Sequence, residues 1–250
     1  MKTEIIYEDR ELLVIKKPAG LATQSAGVGQ TDVVSELKNY LARTNGVKGQ
    51  PYLGMIHRLD QPVEGLLVFA KNKMTAAALT KQLGGQESIG LNKHYYAVFC
   101  GKPSEKEGEL VDYMYKGPDG KAVIVGKESM AKSSDNHSSH ADIDAKQAVL
   151  HYRVLQTVTI STGEILSLAD IQIETGRFHQ IRAQMANAGM ALLGDVKYAD
   201  EETKACSAKL GIRTVALCAY QLSFTHPVSG KTLCFEIRPE TKGFSFFPLS

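Results

Sequence analysis

The chain has 250 residues, of which 43% are hydrophobic and 22% are charged, and its net charge is +2. This balance is that of an ordinary globular protein and excludes disordered and fibrous classes. The length is sufficient for a sizeable buried core, so we expect one folded domain over residues 1–250. The small net charge permits binding to a polyanion, but any nucleic-acid site must then be a local patch.

The sequence indicates neither a membrane nor an oxidising compartment. No apolar run is long enough to cross a bilayer, and the first residues lack a secretory signal, so we expect a cytoplasmic protein without a membrane partner. The four cysteines are Cys100, Cys206, Cys218 and Cys234. They form no C-x-x-C pair, which predicts free and mostly buried thiols rather than zinc ligands or disulfides.

The chain opens with a predicted strand and a predicted helix. An apolar run at residues 12–15 is ended by a Pro/Gly turn, which predicts a short buried strand. Apolar residues at helical spacing then predict a helix over residues 31–43, with Thr31 or Asp32 as its N-cap.

A polar loop and a second strand–helix–strand pattern follow. Pro62 and Gly65 interrupt the loop, which leads into a strongly β-prone run at residues 66–70. A helix is predicted at residues 74–83, and a further strand at residues 94–99. Because loops between rigid strands commonly carry catalytic groups, we expect chemistry near the polar loop.

The composition of the chain changes in its middle third. Residues 116–146 are rich in Gly, Ser, Lys, Asp and His and are too polar to bury, so we predict a polar flap or insertion at about residues 116–148. Four potential metal ligands lie within it, namely Asp135, His137, His140 and Asp142. In a Ser-rich stretch a solvated loop is the simpler interpretation, and we predict no metal.

The remaining pattern settles the predicted fold class. Strands are predicted at residues 165–173, 215–224 and 233–237, and Ile181, Met185 and Ala188 share one face of a helix. These elements predict an α+β fold whose central mixed, largely antiparallel sheet is flanked by helices and loops. No P-loop, dinucleotide-binding or zinc-peptidase motif is complete, so we predict no cofactor.

The polar loop contains a candidate catalytic carboxylate, Asp60. An extended backbone would place Arg58 and Asp60 on one side and His57 and Leu59 on the other, and a neighbouring guanidinium keeps a carboxylate ionised. Asp60 could then serve as a nucleophile. The alternative is that Asp60 merely forms a turn ahead of the proline.

Glu64 offers a different interpretation of the same loop. Paired with Asp60, it would form a glycosidase-like carboxylate couple. Pro62 and Gly65 argue against a helix that would place both carboxylates on one face. We therefore expect Glu64 to be a solvated loop residue.

A second polar cluster lies at the start of the helix that contains Ile181. Residues 175–182 include Arg177, His179, Gln180 and Arg182, and a helix start can bind phosphate. Arg182 flanks the buried face of this helix, where a guanidinium needs an acidic partner. We propose Asp60 as that partner.

Four ordered motifs give the sequence a specific resemblance. His57-Arg58-Leu59-Asp60 followed by Gly65-Leu66-Leu67-Val68-Phe69-Ala70-Lys71 resembles the catalytic motif of RluA-like pseudouridine synthases. Residues 12–20, Lys93-x-Tyr95 and residues 175–182 with Gly194-Asp195-x-x-Tyr198 resemble the other motifs of that family. The resemblance covers nearly the whole chain, and the family often has an N-terminal S4 module for which we expect no room here.

The resemblance implies a fold, a reaction and a set of site residues. It implies a pseudouridine synthase fold with the active-site cleft across the sheet, and a cofactor-free isomerisation of uridine in rRNA or tRNA. Asp60 would attack the flipped uridine, Tyr95 would pack on or hydrogen-bond to the base, and Arg182 would pair with Asp60. The RNA-binding residues would be His57, Arg58, Lys93, Arg177, His179 and Gln180.

Other interpretations of these residues remain open at the level of sequence. Tyr95 could be an ordinary core aromatic, and Lys93, Arg177 and His179 could be solvated surface groups. The sequence departs from the family pattern at Val63-Glu64, where Ser or Thr followed by Ser is common, and at Gln184, where His is frequent. We expect these departures to alter substrate contacts.

Three functions follow from the sequence. The first is an RNA pseudouridine synthase that acts as a monomer without an obligatory protein partner. The second is an RNA-binding or RNA-chaperone protein of the same fold with little or no activity. The third is a nucleoside or glycoside hydrolase that uses Asp60 with Glu64 and releases free base.

Overall fold

The structure is a computed structural model that describes residues 1–25, 27, 29–45, 49–83, 90–125 and 144–249. These residues form two compact units. The first unit contains Met1–Tyr95, Leu217–Thr241 and Leu249, and the second contains Tyr96–Ala216 and Lys242–Pro248. The single domain predicted from the sequence stays a prediction.

The described residues contain eleven strands, four α-helices and one 3₁₀-helix. The strands are β1 (Glu4–Glu8), β2 (Leu12–Lys17), β3 (Gly54–Met55), β4 (Glu64–Ala70), β5 (Asn92–Cys100), β6 (Glu107–Lys116), β7 (Ala122–Val125), β8 (Lys146–Thr159), β9 (Ile165–Ile173), β10 (Leu217–Thr225) and β11 (Thr232–Glu236). The helices are α1 (Val33–Asn45), α2 (Lys73–Leu83), α3 (Gln180–Asn187), α4 (Glu201–Lys209) and the 3₁₀-helix Lys242–Phe244. Within these ranges, no helix is long and apolar enough to cross a membrane.

In the first unit, the fully buried strand β4 is the centre of the sheet. It pairs antiparallel with β2 along one edge, and β3 and β10 share its other edge. The pairing with β10 is parallel, whereas β1 with β2 and β10 with β11 are antiparallel. Apolar residues of β2, β4 and β10 pack with Leu79 of α2 to form the core of this unit.

In the second unit, four strands form an antiparallel series. Their order is β9, β8, β6 and β7, and each neighbouring pair is antiparallel. A small core of Met114, Ala122, Ala148 and Ala183 joins this sheet to α3, with Phe178 and Tyr198 packed against it. The unit therefore holds α3 and the Tyr198 segment against the β6–β7 hairpin.

The predicted α+β class with a mixed, largely antiparallel sheet is confirmed. The strand at residues 12–15 extends to Lys17, and the strand at residues 165–173 has the predicted bounds. Asp32 caps α1, because its carboxylate accepts from the Ser35 amide at 2.7 Å. The sequence did not predict β6, β8 or α4. The active-site cleft across the sheet stays a prediction.

Two other predictions concern the flap and the cysteines. Residues 126–143, with the four potential metal ligands Asp135, His137, His140 and Asp142, lie outside the described residues. The cysteines are free as predicted. Only Cys206 and Cys218 are buried, while Cys100 is half-buried and Cys234 is exposed, so the prediction of mostly buried thiols was wrong for two of the four.

Candidate active site

Asp60 lies on the loop between β3 and β4, where His57 and Asp60 have the same intermediate burial, so the predicted alternation of sides stays a prediction. Leu59 is buried, Arg58 is exposed and Asp60 is half-buried. The Val63 amide donates to the Asp60 carbonyl at 3.1 Å, which closes a turn around Pro62. The sequence thus forms a tight turn that leaves the Asp60 carboxylate near the surface of the first unit.

Hydrogen bonds to the main chain of Leu59 and Gln61 fix this loop on both sides of Asp60. On one side, the Thr23 hydroxyl donates to the Leu59 carbonyl at 2.8 Å and accepts from the Leu59 amide at 3.2 Å. On the other side, the Gly20 amide donates to the Gln61 carbonyl at 2.8 Å. Because both neighbours of Asp60 are held, the backbone on either side of it is fixed by bonds that do not involve its carboxylate.

A buried lysine completes this support. Lys17, at the end of β2, is fully buried, and its ammonium donates to the carbonyls of Leu21 at 2.7 Å and Gln61 at 3.1 Å. Burial lowers the pKa of Lys17 to about 8, and the negative charges of Asp60 and Glu64 partly offset this effect. Lys17 is therefore a cation that the Asp60 loop encloses, and the sequence analysis gave it no role.

Tyr95 is placed as an interaction partner of the same loop. It is a buried residue of β5, and burial raises the pKa of its hydroxyl, with the negative charge of Asp60 as the next contribution. The phenol is therefore protonated at neutral pH and can donate a hydrogen bond. The negative charge of Asp60 therefore adds to the effect of burial and favours the neutral form of Tyr95.

His57 and Lys93 form a second pair in the first unit. The Val68 amide donates to Nε2 of His57 at 3.4 Å, and among the described residues Nδ1 of His57 has no hydrogen-bond partner. Burial and the charge of Lys93 lower the pKa of His57 to about 3, so the ring is neutral. Burial also lowers the pKa of Lys93 to about 8.

The prediction that Glu64 is a solvated loop residue was wrong. Glu64 is the first residue of β4 and is only 2% exposed. Its carboxylate accepts from the backbone amides of Glu240 and Thr241 and from the Thr241 hydroxyl at 2.7 Å. Since these bonds satisfy its charge, Glu64 has a structural role, and a catalytic couple with Asp60 loses its second carboxylate.

Gly65 explains how the polar loop joins the sheet. Its φ is +140°, and a Cβ at this position would lie 2.5 Å from the backbone nitrogen of Ala219 in β10. Only glycine allows β4 to approach β10 this closely in the observed backbone conformation. The close approach to β10 therefore fixes the start of β4, to which the polar loop is joined.

In the second unit, Arg182 is held by a buried carboxylate. Arg182 is 3% exposed, and its Nε and Nη2 each donate to an oxygen of Asp195 at 2.7 Å. The Lys197 amide also donates to Asp195 at 2.9 Å, and the Tyr198 ring lies 5.1 Å from the guanidinium carbon of Arg182. The predicted need for an acidic partner is confirmed in the second unit, whereas the pairing with Asp60 stays a prediction.

The turn that carries Asp195 requires its preceding glycine. Gly194 has a φ of +73°, and a Cβ there would lie 2.2 Å from the Thr214 carbonyl oxygen. The Gly194 amide donates to the Ser207 hydroxyl of α4 at 2.9 Å. The Gly194-Asp195 pair of the final motif thus presents the carboxylate to Arg182 from a crowded, buried turn.

His179 links the start of α3 to Tyr198. Its backbone is left-handed, with a φ of 54°, and its ring stacks on Phe178 at a centroid distance of 3.7 Å. Nδ1 of His179 lies 2.7 Å from the Tyr198 hydroxyl, which also accepts from the Ala122 amide of β7. The network ties three segments together, so His179 has a structural role in addition to its predicted one.

The two remaining predicted residues of this unit differ in exposure. Gln180 is buried: its side-chain oxygen accepts from the Arg177 amide at 2.9 Å and its nitrogen donates to the Val149 carbonyl at 3.0 Å. Arg177 is exposed, and its Nε donates to the Gln147 carbonyl at 2.8 Å, the one side-chain bond that it makes within the described ranges. Arg177 can therefore reach a phosphate directly, whereas Gln180 orients the loop before α3.

Gln184, which departs from the family pattern, is also a buried structural residue. Its nitrogen donates to the Leu110 carbonyl at 3.1 Å and to Asp112 at 2.8 Å. Its Oε1 has no partner in the described part of the chain.

Each unit thus contains one part of the predicted site. The first unit holds His57, Arg58, Asp60, Lys93 and Tyr95, and the second holds Arg177, His179, Gln180 and Arg182. Sequence reasoning assigned no role to Lys17 or Asp195, although both lie inside the motifs that carried the resemblance. Across the described ranges, no group of three His, Cys, Asp or Glu side chains is arranged to hold a metal ion.

Comparison with known proteins gives these motifs a family context. The family model described as RNA pseudouridylate synthase matches residues 11–187. The ribosomal large subunit pseudouridine synthase D of Zymomonas mobilis is 33% identical over 237 residues, which cover 93% of this chain and 68% of that protein. The tRNA pseudouridine synthase C of Haemophilus ducreyi is 32% identical, covering 91% of this chain and 87% of that protein.

A solved structure agrees with these sequence matches. Human RNA pseudouridylate synthase domain containing 4 has a TM-score of 0.66 and 26% identity, covering 94% of this chain and 88% of that chain. Human RNA pseudouridylate synthase domain containing 1 has a TM-score of 0.69 at 18% identity, which shows the fold alone.

Proposed function

Because the chain belongs to the RNA pseudouridylate synthase family, we propose that Asp60 is the carboxylate with which it isomerises uridine in RNA to pseudouridine. The family makes the protein an isomerase that acts on RNA, and the predicted resemblance is thereby confirmed. One observation supports Asp60 in particular. Its loop is fixed on both sides by hydrogen bonds, and its negative charge raises the pKa of both Lys17 and the Tyr95 hydroxyl.

The reaction explains why these groups are needed. The bond between uracil N1 and ribose C1′ breaks, and C1′ rejoins the base at C5, which then loses its hydrogen to solvent while N1 gains a proton. Such a step requires a nucleophilic or proton-abstracting carboxylate and a base that has been flipped out of the RNA. No electron transfer is involved, which agrees with the predicted lack of a cofactor.

The environment of Asp60 suits a carboxylate that must stay charged and accessible. Lys17 provides a buried positive charge on one side of the loop, and the protonated Tyr95 can donate a hydrogen bond to the carboxylate or the base. The Tyr95 ring can also pack against uracil. Arg182 completes the proposed catalytic set.

The proposed RNA-binding residues divide by exposure. Arg58 and Arg177 are exposed and can contact phosphates directly. His57 and Gln180 are engaged within their own units, so they act by positioning neighbouring residues. Lys93 in the first unit and His179 in the second supply the remaining polar groups of the proposed RNA-binding set.

The substrate we propose is a uridine in structured rRNA or tRNA. The relatives' names include one enzyme of the large ribosomal subunit and one tRNA enzyme, which supports both classes. RNA enzymes of this kind recognise shape and splayed bases more than a short residue code, so the target uridine depends on RNA structure. We further propose that the protein acts in the cytoplasm as a monomer.

Tritium release tests the proposal. RNA labelled at uracil C5 loses tritium when C5 is joined to the ribose. The wild-type protein is incubated with a panel of unmodified tRNA and rRNA transcripts, and Asp60→Asn is measured on every transcript that reacts. We expect the variant to lose at least about 10³-fold in rate, because it keeps the shape of the side chain without its charge.

A matched control makes the same chemical change elsewhere. Glu4→Gln removes a carboxylate charge from the exposed edge strand β1 and is expected to react at the wild-type rate. Activity of Asp60→Asn comparable to the wild type would refute the proposed role. Tight RNA binding without tritium release from any transcript would instead favour an RNA-binding protein, and free uracil would favour a hydrolase.

A further inference from the structure

A cavity in the second unit is lined by none of the catalytic or RNA-binding residues predicted from the sequence, although it borders the Gly194-Asp195 pair of the final motif. It has a volume of about 410 Å³ and is bounded by the Gly194-Asp195-Val196 turn, by α4 and by the segment that follows α4. The side chains that matter for its chemistry are Asp195, Val196, Lys204, Ser207, Ile212 and Arg213. This size suits a single nucleotide unit or another small ligand.

Positive charge surrounds the cavity. Lys204 and Arg213 line it, and Nζ of Lys242 lies 3.0 Å from the position that a Cβ on Gly211 would occupy at the rim. Arg213 is exposed, and in the described ranges its guanidinium makes neither an ion pair nor a hydrogen bond. A guanidinium of this kind matches the bidentate geometry of a phosphate.

The nearby acidic groups are already engaged. Asp195 is neutralised by Arg182, and Glu201 pairs with Lys204 at 2.7 Å on the exposed face of α4. A phosphate at the rim would therefore meet two cations, Arg213 and Lys242, and could draw Lys204 away from a weak surface pair. The charge around the cavity is complementary to an anion.

The cavity also offers apolar contact. Val196 is 80% exposed although it is a large apolar side chain, and the buried Ile212 also lines the cavity. An apolar surface beside cations fits a nucleotide, whose sugar and base are less polar than its phosphate. A bare inorganic anion would leave Val196 without a function.

Its wall is shared with the network around Arg182. Asp195 lines the cavity with one face and binds Arg182 with both carboxylate oxygens. The Ser207 hydroxyl holds the preceding Gly194 amide, so this wall is rigid. An occupant of the cavity would therefore lie next to residues that the final motif places in the proposed catalytic set.

We infer that this cavity binds a nucleotide of the RNA substrate other than the target uridine, with its phosphodiester on Arg213 and Lys242 and its sugar or base against Val196. The inference rests on the proposed function, because it takes RNA as the substrate. It adds a contact that neither the motifs nor the family assignment specify.

The test measures RNA binding by fluorescence anisotropy. The probe is a fluorescein-labelled single-stranded RNA of about 15 nucleotides with one uridine. The double variant Arg213→Gln with Lys242→Gln is expected to bind about tenfold more weakly than the wild type at 0.1 M salt. Its slope of log affinity against log salt is expected to fall by about 1.4, because two phosphate contacts are lost.

Lys106→Gln is the matched control, since Lys106 is an exposed lysine that lines a different cavity. An equal loss in this control, or an unchanged salt slope in the double variant, would overturn the inference. Val196→Ser is expected to weaken binding severalfold with the salt slope unchanged. Wild-type affinity of this variant would also overturn it. Far-UV circular dichroism of each variant verifies that it is folded.

Two further experiments are needed. One distinguishes an RNA phosphodiester from free phosphate as the ligand, and the other distinguishes failure of this inference from failure of the proposed function. Inorganic phosphate at constant ionic strength should not displace the RNA, and displacement that erases the difference between wild type and double variant would mean a free-anion site. In the tritium-release assay on a reactive transcript, the double variant is expected to have a higher KM than the wild type and a kcat that is little changed. Loss of tritium release in the wild type would refute the proposed function, while the anisotropy result would still decide the cavity.

Discussion

Asp60 in the first unit and Arg182 in the second are both charged residues of the proposed catalytic set, but the protein holds them by different means. The loop of Asp60 is fixed through bonds from the side chains of Thr23 and Lys17 to the main chain of its neighbours. Arg182 is fixed through its own guanidinium, on the buried carboxylate of Asp195. The first arrangement tolerates a change of the catalytic side chain, whereas the second makes the site and the stability of the unit depend on the same charges.

Breaking the buried ion pair gives the largest expected effect. Asp195→Asn keeps the shape of the side chain but removes the buried negative charge that accepts from Nε and Nη2 of Arg182 in the second unit. We expect the free energy of unfolding to fall by about 3–5 kcal/mol, measured by chemical denaturation. Asp60→Asn should leave it within about 0.5 kcal/mol of the wild type.

A surface pair with the same distance provides the control. Glu201 and Lys204 also meet at 2.7 Å, but both side chains are largely exposed. Glu201→Gln is expected to change the free energy of unfolding by no more than about 0.5 kcal/mol. A loss in Asp195→Asn as small as this would contradict the contrast between the two arrangements.

Gly65→Ala tests how firmly the Asp60 loop is joined to its strand. The added Cβ would collide with the Ala219 backbone at a φ that L-residues rarely adopt. We expect a loss of about 3 kcal/mol or more in the free energy of unfolding. Gly20→Ala, which has a positive φ but open space around it, is expected to lose only about 1 kcal/mol; equal losses would remove the steric explanation.

Thr23→Val removes the side-chain bonds on one side of Asp60 while keeping the shape of the residue. The buried amide and carbonyl of Leu59 then lose their partner, and we expect a loss of about 1–3 kcal/mol in the free energy of unfolding. The rate of tritium release should fall severalfold because the loop is less well held. Thr80→Val, on the exposed face of α2, should change neither quantity appreciably.

The pH dependence of activity gives the smallest expected effect. Lys17 has a pKa lowered to about 8, so its ammonium form dominates below this pH and is lost above it. If the charge supports Asp60, kcat/KM should fall about fivefold between pH 8 and pH 9, because the protonated fraction of Lys17 falls from about one half to about one tenth. Lys17→Met should abolish this fall. Lys93→Met is the matched control, because Lys93 also has a pKa of about 8, and this variant should retain the fall. The same fall in Lys17→Met would exclude Lys17 as its source.

The sequence predicted those parts of the fold that depend on local patterns. Apolar runs with turn residues at their ends identified β2, β4 and β9, and the Asp32 cap marked α1. The helix α4 was missed because its residues show no apolar stripe; it begins instead at a local cap, where Asp200 accepts from the Thr203 amide at 2.8 Å. An N-cap of this kind stabilises a helix without producing an apolar periodicity in the sequence.

Within the site, the sequence identified motifs but not the long-range partners of their residues. In the sequence, Glu64 has the features of a loop residue. Its partner, the Thr241 amide, is 177 residues away and is known only from the structure. Lys16 and Lys17 are adjacent and both buried, so the sequence does not distinguish which of them interacts with Asp60. The pairing of Arg182 with Asp195 depends on a turn beyond the helix, which spacing along the chain does not reveal.

The bond between Glu64 and Thr241 has a consequence for biosynthesis. The main body of the second unit is continuous from Tyr96 to Ala216, whereas the first unit needs Leu217–Thr241, which follow that body in the sequence. During translation, β4 can pair with β2 early, but Glu64 and Gly65 obtain their partners only after β10 and the segment that follows it have been made. The Asp60 loop therefore reaches its final support only after the main body of the second unit has been synthesised, so the proposed catalytic loop is completed later than the unit that holds Arg182.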